Sequence, residues 1–289
     1  MISMAILTSA LELGFIYALV ALALFLSFRI LNIADMTTDG TFTLGCAVSA
    51  TMAVAGHPIL ALPAAMIAGA AAGSITALLQ TKFKVPSILA GIITNTGLYT
   101  VNLAVMGFSA NVNLMRTDTI FSLLDGVPKL VVTAVIALIA CVALILFLNT
   151  RMGLSIRATG DNADMVRASS INTSFTVTLG LCIANALTAL SGAVIAQYQK
   201  TADINLGTGM VIVGLASLII GETLLRKNSI WVKALGAILG SIIYRLMIAG
   251  ALRLNLPSES LKLVSAVIVA AAIALPNLKK GGKRNAKAQ

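Results

Sequence analysis

The sequence predicts an all-α, polytopic membrane fold, and three observations carry that reading. Hydrophobic residues make up 58% of the 289 positions and charged residues only 10%, against about 45–50% (with Gly) and about 25% in an average soluble domain. The mean hydropathy is +0.99. The apolar residues fall in runs of membrane-crossing length, separated by short loops that hold most of the charge. A soluble enzyme, a disordered chain and a disulfide scaffold are thereby excluded. Cys46, Cys141 and Cys182 are scattered through apolar runs without metal-ligand spacing, so they read as small core residues and no metal is expected.

A bilayer core needs about 20 apolar residues per helix. Nine hydrophobic segments are expected, near 4–28, 41–55, 58–79, 86–106, 130–148, 173–197, 209–221, 230–251 and 261–275. The first lacks a basic leader and outlasts a signal-peptide core, so it reads as a span. The second and seventh are short and Gly-rich and read as broken or re-entrant. The fourth opens at Val85-Pro86-Ser87 and is unusually polar. Residues 1–278 thus form one transmembrane domain, followed by a basic tail over 279–289.

Charge orients the spans. With the C-terminus inside, fourteen of the twenty Lys and Arg residues fall on the inner side, including Arg29, Lys82, Lys84, Arg151, Arg157 and Arg167. Five fall outside and Arg245 lies within a span. The positive-inside rule therefore places the N-terminus outside and the C-terminus in the cytoplasm. The net charge of +10 is explained by topology and the tail, with no nucleic-acid partner implied.

Two fragments recur. Ala34-Asp35-Met36 follows the first span and Ala202-Asp203-Ile204 the sixth, 168 residues later. Val85-Pro86-Ser87 is echoed by Leu256-Pro257-Ser258, 171 residues later. On this topology the echoes face opposite sides, so residues 4–107 and 173–275 read as inverted repeats joined by the connector span 130–148. Inverted repeats with interrupted helices are a transporter architecture, and the interruptions usually lie on the substrate route.

The connection over 150–172 holds the one patterned inner loop. Asp161 suits an N-cap and Asp164 the first turn of a helix, while Arg167 suits its last turn. An amphipathic helix over 161–170 follows. It is too short to stand alone, so it must dock on lipid headgroups or on a protein groove.

At this point a resemblance decides. Residues 17–45 (YALVALALFLSFRILNIADMTTDGTFTLG), 84–107 (KVPSILAGIITNTGLYTVNLAVMG), 153–172 (GLSIRATGDNADMVRASSIN) and 187–222, with Ala196-Gln197-Tyr198-Gln199, resemble permease subunits of ABC importers. The relation is to the branched-chain amino acid permeases, and within them to a tryptophan/tyrosine-type single-permease subfamily. The resemblance implies that the 150–172 loop contacts the ATPase through Arg157, Ala158, Gly160, Asp161, Asn162, Met165, Arg167 and Ile171. It also implies two cytoplasmic ABC ATPases, an extracytoplasmic binding protein, a second permease copy as homodimer, and a bacterial inner-membrane location. An amino acid substrate, aromatic or branched-chain, follows by the same analogy.

Polar residues inside the spans supply the other candidates. Asn32, Asp35 and Asp39 crowd the entry to the second segment, and Asn95, Tyr99 and Asn102 share one face of the fourth. A polar face in a bilayer must look at protein or water, so these residues are translocation-path candidates or interhelical hydrogen-bond partners. Glu12 and Arg245 are ionisable groups at membrane depth, which face a partner or a wet cavity. They read as a mutual pair or as cavity lining. The motifs Gly69–Gly73 and Gly236–Gly240 permit close helix approach, within the chain or between copies.

The competing reading is a stand-alone secondary transporter with Glu12 or Asp35 as ion-coupling site. Such a protein has no need of a docking helix. A membrane enzyme lacks its catalytic set, since the lone His57 sits in an outer loop. The chain has no Gly-x4-Gly-Lys-Ser/Thr phosphate loop. ATP and Mg therefore belong to the partner ATPase, and no cofactor is expected in this chain.

Overall fold

A computed structural model describes residues 4–225 and 229–252, together with Val267 and Ala270. The ninth segment, the Pro257 half of the repeat and the basic tail lie outside the described residues, as do Arg226, Lys227, Arg253 and Lys262. Helix α1 (Met4–Leu24) runs on into a π-helical turn over Phe25–Ile30. It is followed by α2 (Thr38–Val54), α3 (Ala61–Thr81), α4 (Ser87–Val105), a short strand β1 (Asn111–Asn113) and one turn of helix α5 (Ile120–Leu123). Then come α6 (Lys129–Leu148), α7 (Arg151–Asp161), α8 (Ala163–Ala168), α9 (Thr173–Gln199), β2 (Thr201–Asp203), α10 (Met210–Leu224) and α11 (Ile230–Leu252).

Among the described residues, six helices are long and apolar enough to cross a membrane: Met4–Ile30, Ala61–Thr81, Ser87–Val105, Lys129–Leu148, Thr173–Gln199 and Ile230–Ala251. The expected second and seventh segments are the shorter helices α2 and α10. Strands β1 and β2 pair antiparallel, Val112 opposite Ala202. This pairing between two connections was not visible in the hydropathy pattern.

The core is built around α1 and α9. The C-terminal part of α1 and the start of the π-helical turn are buried without a break from Ile16 to Leu26. Helix α9 packs between α2 and α3, and small residues make that possible. A side chain on Gly192 would collide with the Phe42 carbonyl, and one on Gly73 would lie 2.5 Å from the Leu181 carbonyl. Gly236 and Gly240 likewise face Gly221 and Ser217 of α10. Both GxxxG motifs are therefore used inside this chain.

Polar side chains lock α9 in place. Thr41 Oγ1 donates to Asn185 Oδ1 (2.8 Å), and Ser49 Oγ donates to the Ala193 carbonyl (3.0 Å). The constant offset of 144 in these two contacts makes α2 parallel to α9. Ser191 Oγ donates to the Ile16 carbonyl (2.7 Å), tying α9 to α1. Gln197 Nε2 donates to Ser49 Oγ and the Pro58 carbonyl, and its Oε1 accepts from the Ile120 amide.

The loops sort to the two ends of α9. At its N-terminal end, Gly160 sits against the Ile30 carbonyl and Gly180 against Leu31. Arg29 pairs with Glu222 nearby (2.7 Å). At the other end gather Pro58, the β1–β2 pair, α5 and Lys129, whose ammonium lies 5.6 Å from the Tyr198 ring centroid.

Candidate functional site

The site is made by two interrupted helices. After α1, Asn32 takes a left-handed conformation (φ 57°). Three residues on, Asp35 Oδ1 accepts from the Thr37 amide (2.8 Å), turning the chain back into α2. After α9, Lys200 is left-handed (φ 55°), and Asp203 Oδ1 accepts from the Asn205 amide (2.8 Å). Each Asp side chain mimics a backbone turn two residues ahead. Gly209 (φ 86°) then starts α10.

These turns bring the N-termini of α2 and α10 together. Asn185, beside the start of α2, lies about 18 Å along an α9 some 40 Å long at 1.5 Å per residue. Asp39, in the first turn of α2, accepts from the Gly209 amide at Oδ2 and the Val211 amide at Oδ1, both 2.9 Å. Gly207 donates to Thr43 Oγ1 (3.1 Å). The carboxylate thus satisfies two of the orphan amides of α10 and opposes its N-terminal partial charge. From this meeting point α2 runs toward Gln197, while α10 runs back to Glu222 at the Arg29 end.

Beside the crossing lies a cavity of about 280 Å³. Asp39, Gly40, Thr43 and Asn102 form its floor, and the exposed residues Thr96, Tyr99, Asn205 and Thr208 form its rim, with Asn95 and Ile204 between. Asn102 Nδ2 donates to the Gly40 carbonyl (3.1 Å). Tyr99 is 53% exposed, so the cavity opens sideways on the free face of α4.

Four of the six path candidates, Asp39, Asn95, Tyr99 and Asn102, come together here. The other two are placed elsewhere. Asp35 is buried, with Oδ2 accepting from Asn185 Nδ2 (2.7 Å), and Asn32 forms the exposed turn before it. Sequence reasoning missed Thr43, Asn205 and Thr208, and saw Thr96 only as one of the polar residues of the fourth segment. The echo of Asp35 at Asp203 pointed to the segment that carries Asn205 and Thr208. It also missed Asn185 and Gln197, because hydropathy does not tell which polar residue in an apolar helix finds a distant partner.

Glu12 and Arg245 do not pair. Glu12 Oε2 accepts from the Tyr198 hydroxyl (2.7 Å), and the Arg245 guanidinium stacks 3.6 Å over the Tyr17 ring. Tyr17 in turn stacks on Phe42 at 6.0 Å between ring centroids. Tyr17 lies more than one helical turn beyond Glu12. Arg245 therefore meets a ring face, where a cation is held by the ring quadrupole, and not the carboxylate.

A second surface is the 150–172 loop. It is two helices, and the N-cap differs from the expected one. Asp161 ends α7, while Asn162 caps α8 by accepting from the Asp164 and Met165 amides. Asp161 cannot take that role because its backbone is still helical. Thr150 caps α7 and Asn172 caps α9. The loop is held to the bundle by Gly160 on Ile30, by Thr159 against Thr176 (2.8 Å) and by Arg167 Nε donating to Thr173 Oγ1 (3.1 Å). Arg167 is also bonded to Asp164 (3.2 Å). Facing outward are Met152, Leu154, Ala158, Asp161, Asn162, Met165 and Ile171, with Arg157 half-buried.

Comparison with known proteins places this architecture. Residues 6–275 match the family model for the branched-chain amino acid transport system permease component. The tyrosine transport system permease protein of Clostridioides difficile is 35% identical over 274 residues, covering 94% of this chain and 92% of the relative. The ribose import permease protein of Escherichia coli is 26% identical, covering 85% of this chain and 78% of that one. A solved ABC transporter of the metal-chelate type, in an inward-facing conformation, shares the fold at a TM-score of 0.50 and 19% identity, covering 95% of this chain and 84% of that chain. With 270 of its residues matched end to end, the chain belongs to the branched-chain amino acid transport system permease family of ABC transporters and is a multi-pass membrane protein.

Proposed function

We propose that this chain is the transmembrane permease of an ATP-driven importer for a small amino acid, aromatic or branched-chain in type. It receives the solute from an extracytoplasmic binding protein and works as a homodimer with two cytoplasmic ATPases. The observation that carries the reading is the outward face of α7–α8. Met165 is 69% exposed and sits on a segment pinned to the bundle at Gly160, Thr159 and Arg167. A rigid, apolar and charged knob of this kind suits a protein groove.

The same reading assigns the Arg29 end to the cytoplasm, in keeping with the charge bias. The matched turns at Asn32–Asp35 and Lys200–Asp203 support an inverted repeat whose breaks meet at Asp39. The exposed face of α4 mixes Ile88, Leu89, Ile92, Ile93 and Val101 with Thr96 and Tyr99; its polar groups favour protein or water over lipid, which supports a second copy facing it across a wet path. The 35% identity to a tyrosine permease favours tyrosine-like substrates.

Reconstitution with the cognate ATPase tests this. The Met165 side chain is exposed and only its backbone takes part in the α8 cap, so Met165→Asp leaves that cap in place and acts on a partner or lipid. Loss of ATPase co-purification is expected, as is uncoupling by Arg167→Glu, which reverses the charge offered to an acidic partner and removes the bond that holds the segment to Thr173. A helix lying on lipid predicts about 1 kcal/mol of weakened membrane contact and an ATPase that still binds. Retention of substrate-stimulated hydrolysis in both variants would overturn the docking assignment.

A further inference from the structure

The cavity at the crossing of α2 and α10 is biased toward hydrogen-bond acceptors. Among the described residues its lining holds one carboxylate, Asp39, and no Lys, Arg or His. Asn102 is 1% exposed, and its Oδ1 has no hydrogen-bond partner. The amide orientation is fixed by its surroundings. The neighbouring Gly40 carbonyl can only accept, so Nδ2 must face it and Oδ1 is left over. A buried acceptor without a donor is costly, and Asn102 is one of the residues that line the cavity. Asp39 spends one lone pair of each oxygen on the α10 amides, and an ionised carboxylate offers about four acceptor sites.

We propose that this cavity holds the protonated amino group of the transported solute between the Asp39 carboxylate and Asn102 Oδ1. An ammonium brings three donors and no acceptor, which is the complement of these two groups. The carboxylate end of the solute finds no cation in the cavity and points toward the rim, where Thr96, Asn205 and Thr208 supply neutral polar groups. The inference rests on the amino acid reading above and names the end of the molecule that is recognised.

The test uses the full permease–ATPase complex in lipid nanodiscs without the binding protein, so that recognition by the receptor does not enter. L-Tyrosine binding is measured in competition with tyramine, which keeps the amine, and with 3-(4-hydroxyphenyl)propionate, which lacks it. Tyramine is expected to compete and the des-amino acid to fail. Asn102→Leu should weaken tyrosine and tyramine about tenfold or more, the scale of one charge-assisted hydrogen bond. Asn102→Asp keeps an acceptor but loses the donor to the Gly40 carbonyl, so it should weaken binding less than Asn102→Leu does.

If Asn102 serves only its bond to Gly40, Asp and Leu variants fail alike, and the proposal is overturned. Equal competition by the des-amino acid overturns it too, while leaving the amino acid reading intact. Tyramine binding without tyrosine binding keeps the amine site and rejects the substrate class. Binding of neither molecule rejects both.

Discussion

Helices α9 and α4 carry the same kind of sequence, an apolar span studded with Thr, Asn and other polar residues, yet they use them in opposite ways. In the most apolar stretch of α9, 78% of residues are buried within this chain, against 28% in α4. Asn185, Ser191 and Gln197 of α9 each reach a group at least 77 residues away in sequence. On α4, Asn102 keeps an unpaired Oδ1, and Thr96 and Tyr99 face outward. A polar residue in a membrane helix is therefore glue where a partner helix covers it, and stays available to water, a solute or another chain where none does.

The contrast is broken most severely at Asn185. Its amide donates to the buried Asp35 carboxylate and accepts from Thr41. Asn185→Leu strips Asp35 of a donor at membrane depth and should lower the stability of the purified permease by about 2–3 kcal/mol, the cost of stranding a charged group's hydrogen bond. Thermal unfolding in detergent measures it, and an unchanged midpoint would dissolve the distinction between the helices.

Gln197→Leu should cost less, about 1–2 kcal/mol, because its three bonds are between neutral groups and interhelical hydrogen bonds in membranes average well under the soluble value. Its effect is expected at one end only: protection of the 57–60 and 117–124 backbone from hydrogen exchange should fall, while α7–α8 is untouched.

The smallest structural effect belongs to α4. Asn95→Ala with Tyr99→Ala should change stability by no more than about 0.5 kcal/mol, as for exposed positions without special roles, yet reduce uptake in reconstituted vesicles. Wild-type uptake in that double variant would remove this face from the path. A large loss of stability would instead make α4 a second α9.

Membrane class, the approximate limits of eight helices and the presence of a patterned 150–172 loop were legible in the sequence, since apolar run length is a local property set by bilayer thickness. So was the echo of Asp35 at Asp203, because a side-chain turn needs only the residues around it. The helix cap at Asn162 was missed by one position because Asp and Asn are near-equal caps, and the choice depends on where α7 stops. That end is set by Gly160 lying on the Ile30 carbonyl, a contact made across 130 residues.

What composition and spacing determined alone is that this chain lies in a membrane, carries its polar residues at helix breaks and presents one patterned loop. Only the tertiary structure decided which polar residues are satisfied. It paired Glu12 with Tyr198, set Arg245 on Tyr17, buried Asp35 against Asn185 and drew Asp39 under the first amides of α10. The physical reason is that hydrophobicity acts on each segment separately, whereas a hydrogen bond needs donor and acceptor within about 3 Å. Groups 150 or more residues apart in the chain, as Asp35 and Asn185 are, reach that distance only once the helices have packed.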